Sequence, residues 1–206
     1  MEQRSEEWFA ARIGKVTASK VADVLSKTKN GYGVSRDNYL IQLAIERITK
    51  TKTEFYSNSA MKWGTDKEPF ARAHYEMLTG NLVDDVGLVD HPSIEWAGAS
   101  PDGLVGVDGL IEIKCPNTST HLETFLNECV PQKYVPQIQF QIACTERKWC
   151  DFVSFDPRLP EHAQIFVKRV HRDQEYINTI ESEIKKFLQE VEEKTANLIT
   201  LIESKL

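Results

Sequence analysis

Hydrophobic positions repeat with two different periods along this chain. In residues 35–50, Leu40, Leu43, Ala44 and Ile48 recur at helical spacing, with Arg36, Arg47 and Lys50 on the opposite, polar face. A second helical pattern fills residues 59–80 and closes at Gly80, with Pro69 expected near a helix start, which would put Glu68 there too. A short helix is predicted over residues 17–27, with Thr17 or Ser19 as its N-cap, followed by a turn at Asn30-Gly31. The pattern then shifts to short β-rich runs bounded by Gly, Pro and Asp at residues 82–90, 94–100 and 110–115. Helices are predicted over residues 118–128 and 133–146, the latter with Tyr134, Ile138, Ile142 and Ala143 inward. Alternating strands follow at 149–156 and 163–171. From Asp173 onward a stripe of Ile177, Ile180, Ile184, Phe187, Leu188 and Val191 marks a long helix, which could cover this chain's core or form an interface. Helices, strands, helices, strands, helix predict an α/β fold with a central mixed sheet flanked by helices.

With 206 residues, 41% of them hydrophobic, the chain suits a single domain spanning 1–206. Within it lie basic N-terminal helices (1–52), a core (60–157) and a C-terminal strand and helix (163–206). No apolar run reaches the ~18 residues that span a bilayer, and the charged start lacks the apolar centre of a secretory signal. No membrane association and a cytoplasmic location are expected. Cys115, Cys129, Cys144 and Cys150 show no zinc-ligand spacing, nor do the scattered histidines. The net charge is -6, but residues 1–52 are basic and the remainder strongly acidic. Such a polarity lets one face approach phosphates while the rest repels them. No Gly-x4-Gly-Lys-Ser/Thr loop exists, so no ATP is expected.

The chemistry concentrates in residues 100–116, "SPDGLVGVDGLIEIKCP". Glu-x-Lys pairs occur elsewhere in this chain on charged helical surfaces. Only Glu112 and Lys114 interrupt an apolar strand. Residues two apart share a strand face, so Leu110, Glu112 and Lys114 lie together, opposite Ile111, Ile113 and Cys115. A buried charge demands a partner or a metal. A plain Glu112–Lys114 ion pair would meet that demand, and so would a cation site. Asp102 precedes a glycine-rich reversal that would bring it beside Glu112. Two carboxylates, with waters and a carbonyl such as that of Ile113, suit Mg²⁺. A lysine there could orient or deprotonate the attacking water, which would require its pKa to fall from about 10.4.

"SPDG" followed by "IEIKCP" resembles the Pro-Asp…Asp/Glu-x-Lys nuclease superfamily. Five stretches in order narrow the likeness to the phage-type alkaline exonucleases, the family of phage lambda exonuclease: "WFAARIGKVTASKV", "WGTDKEPFARAHYEMLTG", "ASPDGL", "IEIKCP" and "YVPQIQFQIACTERKW". The resemblance covers roughly residues 8–157. It implies a restriction-endonuclease-like core. It also implies Mg²⁺-dependent 5′-to-3′ degradation of one strand of a DNA duplex, with Mn²⁺ able to substitute, leaving a 3′ overhang for recombination. Asp102, Glu112 and the Ile113 carbonyl would bind metal, with Glu68 completing the site, directly or through water. Lys114 would be the catalytic lysine. Gln137 would help place the attacked strand, with Gln139 the alternative register. Arg12, Thr17, Ser19 and Ser100 would form a pocket for the 5′-terminal phosphate. A helix N-terminus with hydroxyls and a bidentate arginine suits that anion, although Thr17 and Ser19 would equally serve as ordinary caps. The family further implies a homotrimeric ring around DNA and a single-strand annealing partner.

Two rival readings stay open on sequence alone. One is a structure-selective or restriction-like endonuclease on the same core; the other is a non-catalytic DNA-binding module. Trp8 and Trp63 could stack on bases or pack internally.

Overall fold

The computed structural model describes residues 1–29, 31–53 and 58–205. The chain begins with α1 (Glu6–Arg12), β1 (Val16–Thr17), a 3₁₀ turn (Ala18–Lys20) and α2 (Val21–Val24). A small hairpin, β2 (Lys27–Thr28) and β3 (Gly31–Tyr32), leads into α3 (Val34–Thr49) and α4 (Ser59–Thr79). Short strands β4 (Val83–Asp84), β5 (Val89–Asp90), β6 (Ala97–Ala99) and β7 (Gly103–Val105) precede β8 (Gly109–Lys114). Then come α5 (Thr118–Asn127), α6 (Val135–Thr145), β9 (Trp149–Phe155), β10 (Ile165–His171) and α7 (Gln174–Glu203).

The main sheet has the order β10-β9-β8-β7-β4, with β8 and β9 parallel and the other neighbours antiparallel. A smaller sheet, β1-β6-β5, lies beside it. The expected mixed sheet between helices is therefore present. β8 is central and buried on both faces, which explains its nearly continuous apolar run. On one face Leu110, Cys150 and Phe152 meet Ile138 and Ile142 of α6, and α2, α3 and α7 pack beyond α6. On the other, Ile111, Ile113, Val153 and Phe155 meet Ala71 and Tyr75 of α4. Ile177, Ile180, Ile184, Phe187 and Val191 are all fully buried, so the C-terminal stripe closes this chain's own core. Among the described residues no helix is long and apolar enough to cross a membrane.

Several local expectations change. Pro69 lies inside α4, so Glu68 is a mid-helix residue and not a helix-start one. A proline there forfeits one backbone bond, but Thr65 and Pro69 are both exposed, so water can satisfy the freed carbonyl. Asn58 caps α4 instead, accepting from the Met61 N–H at 2.9 Å. The helix expected over residues 17–27 shrinks to a 3₁₀ turn and four α residues, and among the described residues neither Thr17 nor Ser19 caps it with a side-chain hydrogen bond. Asn30 lies outside the described residues; Gly31 pairs with Thr28 in the hairpin. Arg36, expected on a polar face, is 1% exposed. Its guanidinium stacks on Tyr32 and Phe187 and forks onto both oxygens of Glu190 at 2.6 and 2.9 Å. Periodicity cannot anticipate that burial, because the covering residues come from a hairpin and from α7.

Candidate active site

The β7–β8 hairpin does what the glycines allow. Gly106 takes a positive φ of 53° in the turn, and the register sets Gly103 opposite Ile111. Asp102, one residue before β7, then falls beside the middle of β8. Its Oδ2 accepts the Ile113 N–H at 2.6 Å, standing in for a strand partner beyond the end of the ladder. Burial raises the Asp102 pKa first, and the negative charges of Glu112 and Glu68 raise it further, against Lys114 and the Ile113 N–H. Glu112 and Glu68 are thus close enough to oppose the ionisation of Asp102.

Glu112 is 1% exposed. Its Oε1 receives the Lys114 ammonium at 2.5 Å and the Gln137 amide at 2.6 Å; its Oε2 receives the Gln141 amide at 2.6 Å. Donors on both oxygens explain how a carboxylate survives in this core. Gln139 points elsewhere, to the His171 carbonyl and the Asp173 N–H. Of these two glutamines, Gln137 is the one that contacts the carboxylate. Burial works against the Lys114 ammonium, but Glu112 and Asp102 outweigh it and hold its pKa above the ordinary lysine value. Facing these groups, Lys114 carries its positive charge directly against Glu112.

Glu68 is turned to Arg4, whose Nη2 sits 2.5 Å from Glu68 Oε2. Among the described residues no three acidic, histidine or cysteine side chains stand at ligand spacing. The set nonetheless fits a divalent cation in kind. Asp102 and Glu112 are hard oxygen donors, and the Glu112 charge that opposes an ionised Asp102 is what a cation would relieve; carboxylates with waters suit Mg²⁺ or Mn²⁺.

Arg12, Thr17 and Ser19 line one cavity of about 350 Å³, together with Trp8, Lys15, Lys20, Tyr39 and Lys52. Ser100 joins it: its hydroxyl accepts from Arg12 Nη1 at 3.1 Å and from Trp8 Nε1 at 2.9 Å. Ser100 stands two residues before Asp102, so one short segment connects this cavity to the carboxylates. Burial lowers the Arg12 pKa, with Tyr39 and Glu46 opposing. The short 3₁₀ and α turn beyond Thr17 offers little helix dipole. The cavity's positive character therefore comes from Arg12 and three lysines that sequence reasoning did not single out. Trp8 stacks against Arg12 at 4.1 Å, and Trp63 lies under Arg158 at 4.4 Å; both are half-buried.

Arg4 and Gln141 also went unnoticed in the sequence. Arg4 carries no signal, because its partner is 64 residues away. Gln141 does: it interrupts an apolar helix one turn after Gln137.

The profile of the YqaJ-like viral recombinase domain matches residues 7–148. The alkaline exonuclease LHK-Exo from Laribacter hongkongensis is 51% identical, with a TM-score of 0.91 covering 98% of this chain and 100% of that one. Its complex with dAMP gives a TM-score of 0.92 at the same identity and coverage. A phage-related exonuclease from Haemophilus somnus 129PT shares the fold, with a TM-score of 0.70 at 15% identity over 91% of this chain and 96% of that one. Uncharacterized protein R354 of Acanthamoeba polyphaga mimivirus is 26% identical over 168 residues, 74% of this chain, which spans 29% of that relative's length.

Proposed function

The chain belongs to the YqaJ-like viral recombinase family and is a DNA exonuclease, and we propose that it resects one strand of a duplex end 5′ to 3′ with Mg²⁺. Mononucleotides would be released and a 3′ overhang left for recombination. The observation that carries this reading is the hairpin that sets Asp102 on the Ile113 N–H next to Glu112, with Lys114 on the Glu112 carboxylate.

Asp102, Glu112 and the Ile113 carbonyl would hold the cation, with Glu68 reaching it through water once released from Arg4. A bound divalent ion supplies charge neutralisation at the phosphate and acidifies water. Lys114, kept cationic by its neighbours, stabilises negative charge gathering on the attacked phosphate and orients the water. Gln137 steadies Glu112 beside the scissile strand. Arg12 and Ser100, with Thr17 and Ser19 in the same cavity, bind the 5′-terminal phosphate and so set which bond reaches the carboxylates. Each cut would expose a new 5′ phosphate, regenerating the group this cavity takes. The dAMP bound by LHK-Exo is of the product class expected here.

A homotrimeric ring would keep the enzyme on DNA without ATP, and the basic N-terminal region beside an otherwise acidic chain supports a basic channel within an acidic exterior. A single-strand annealing protein is the proposed partner, and the cytoplasm the proposed compartment.

The test uses linear duplex DNA phosphorylated at one 5′ end, followed by mononucleotide release with Mg²⁺ or EDTA. Release should require the metal and favour the phosphorylated end, and a covalently closed circle should stay intact. Losing a charge-assisted hydrogen bond costs roughly 1.5–3 kcal/mol. Arg12→Ala should therefore cut the preference for the phosphorylated end by about 10–100-fold, with the other end little affected. Equal loss at both ends would contradict the phosphate assignment, and cutting of the circle would favour an endonuclease.

A further inference from the structure

Between Ile138 and Cys144, α6 is wholly buried and apolar except for two glutamines, Gln139 and Gln141. Gln139 is fully employed, since its amide donates to the His171 carbonyl and accepts from the Asp173 N–H, tying α6 to the start of α7. Gln141 is 0% exposed, and among the described residues its Oε1 is buried without a hydrogen-bond partner. A half-paired amide in a core is costly, and an apolar side chain would avoid that cost. The other half of the amide accounts for the choice. Gln141 Nε2 stands 2.6 Å from Glu112 Oε2, whereas Lys114 and Gln137 both hold Oε1. Gln137 and Gln141 are one turn apart on the same helix face, so one element grips both oxygens of one carboxylate. The terminal torsion of a glutamate is soft. Anchored at Oε1 alone, the group could swing.

We infer that Gln141 is a positioning residue that fixes the Glu112 carboxylate so that it can share a divalent cation with Asp102. This inference rests on the metal-site reading above, which assigns no role to Gln141. It acts through Glu112 and touches neither DNA nor the reacting phosphate.

The experiment titrates Mn²⁺ into metal-free full-length protein, reading free ion by electron paramagnetic resonance, with thermal unfolding followed in parallel. Outer partners of metal ligands typically change affinity 10–100-fold. Gln141→Met should weaken Mn²⁺ binding by about that factor. It should also raise the Mg²⁺ concentration for half-maximal nuclease rate, with saturating Mg²⁺ restoring most of kcat. Gln139→Met is the control for losing a buried glutamine: its melting temperature should fall while Mn²⁺ affinity stays at wild type. A folded Gln141→Met protein with wild-type Mn²⁺ affinity overturns the inference. Should that variant not fold, Gln141→Asn, one methylene short of Glu112, is expected to show the same weakening, and unchanged affinity there overturns it equally. Failure of the underlying reading looks different: wild type would bind no Mn²⁺, or Glu112→Gln would bind it as well as wild type.

Discussion

Glu112→Gln should lower mononucleotide release by about 10³-fold or more while leaving the fold in place. A metal contributes several kcal/mol of charge stabilisation in phosphoryl chemistry, and about 4 kcal/mol corresponds to a factor near 10³. The substitution keeps the shape of the side chain but removes the negative charge that makes Glu112 a ligand. Stability should respond little. Removing one member of a buried ion pair is costly where it strands the other charge away from water. Lys114 keeps part of its side chain in solvent, 27% exposed, and its freed ammonium can be hydrated. Circular dichroism melts beside end-labelled DNA assays check both halves, and a melting temperature lower by more than a few degrees would assign Glu112 to structure as much as to chemistry.

Phe187→Ala should produce the reverse profile, a large loss of stability from a residue far from the carboxylates. Phe187 is fully buried, stacks on Tyr39 with ring centroids 5.5 Å apart, and supports the Arg36 guanidinium. Truncating a buried phenylalanine costs about 3–5 kcal/mol. For a chain of this size that corresponds to a melting temperature lower by roughly 10–15 °C. The loss should also reach the Arg12 cavity. Tyr39 lines it, and its hydroxyl donates to the Lys15 carbonyl while accepting the Thr17 N–H, both at 3.2 Å. A Tyr39 ring left without its stacking partner should loosen that wall. Preference for a phosphorylated end should then weaken at temperatures where the protein is still folded. Denaturant melts and end-preference assays at 25 °C measure the two effects.

The carboxylate hairpin was readable because its determinants are local. Glycines before and after residue 107, a two-residue period and a charged pair in an apolar strand place Asp102, Glu112 and Lys114 within one supersecondary unit. Gln137 came from the family likeness, and α4, α6 and α7 followed from helical spacing. What escaped depends on contacts that sequence spacing does not encode. Arg4 meets Glu68 across 64 residues, and Arg36 is buried by a hairpin and by α7. Pro69 misled because a proline suggests a helix start, yet α4 absorbs it where the backbone faces water. The carboxylates facing Lys114 raise its pKa, an effect that spacing along β8 does not reveal, and a bound divalent ion would act in the opposite direction.

The most direct test of a cation shared by Asp102 and Glu112 is anomalous diffraction from crystals of the protein grown with Mn²⁺. A peak within coordination distance of both carboxylates, absent from crystals of Asp102→Ala, is the predicted result. An intact Lys114–Glu112 pair with no anomalous density between Asp102 and Glu112, in crystals of protein that digests DNA with the same ion, would contradict it.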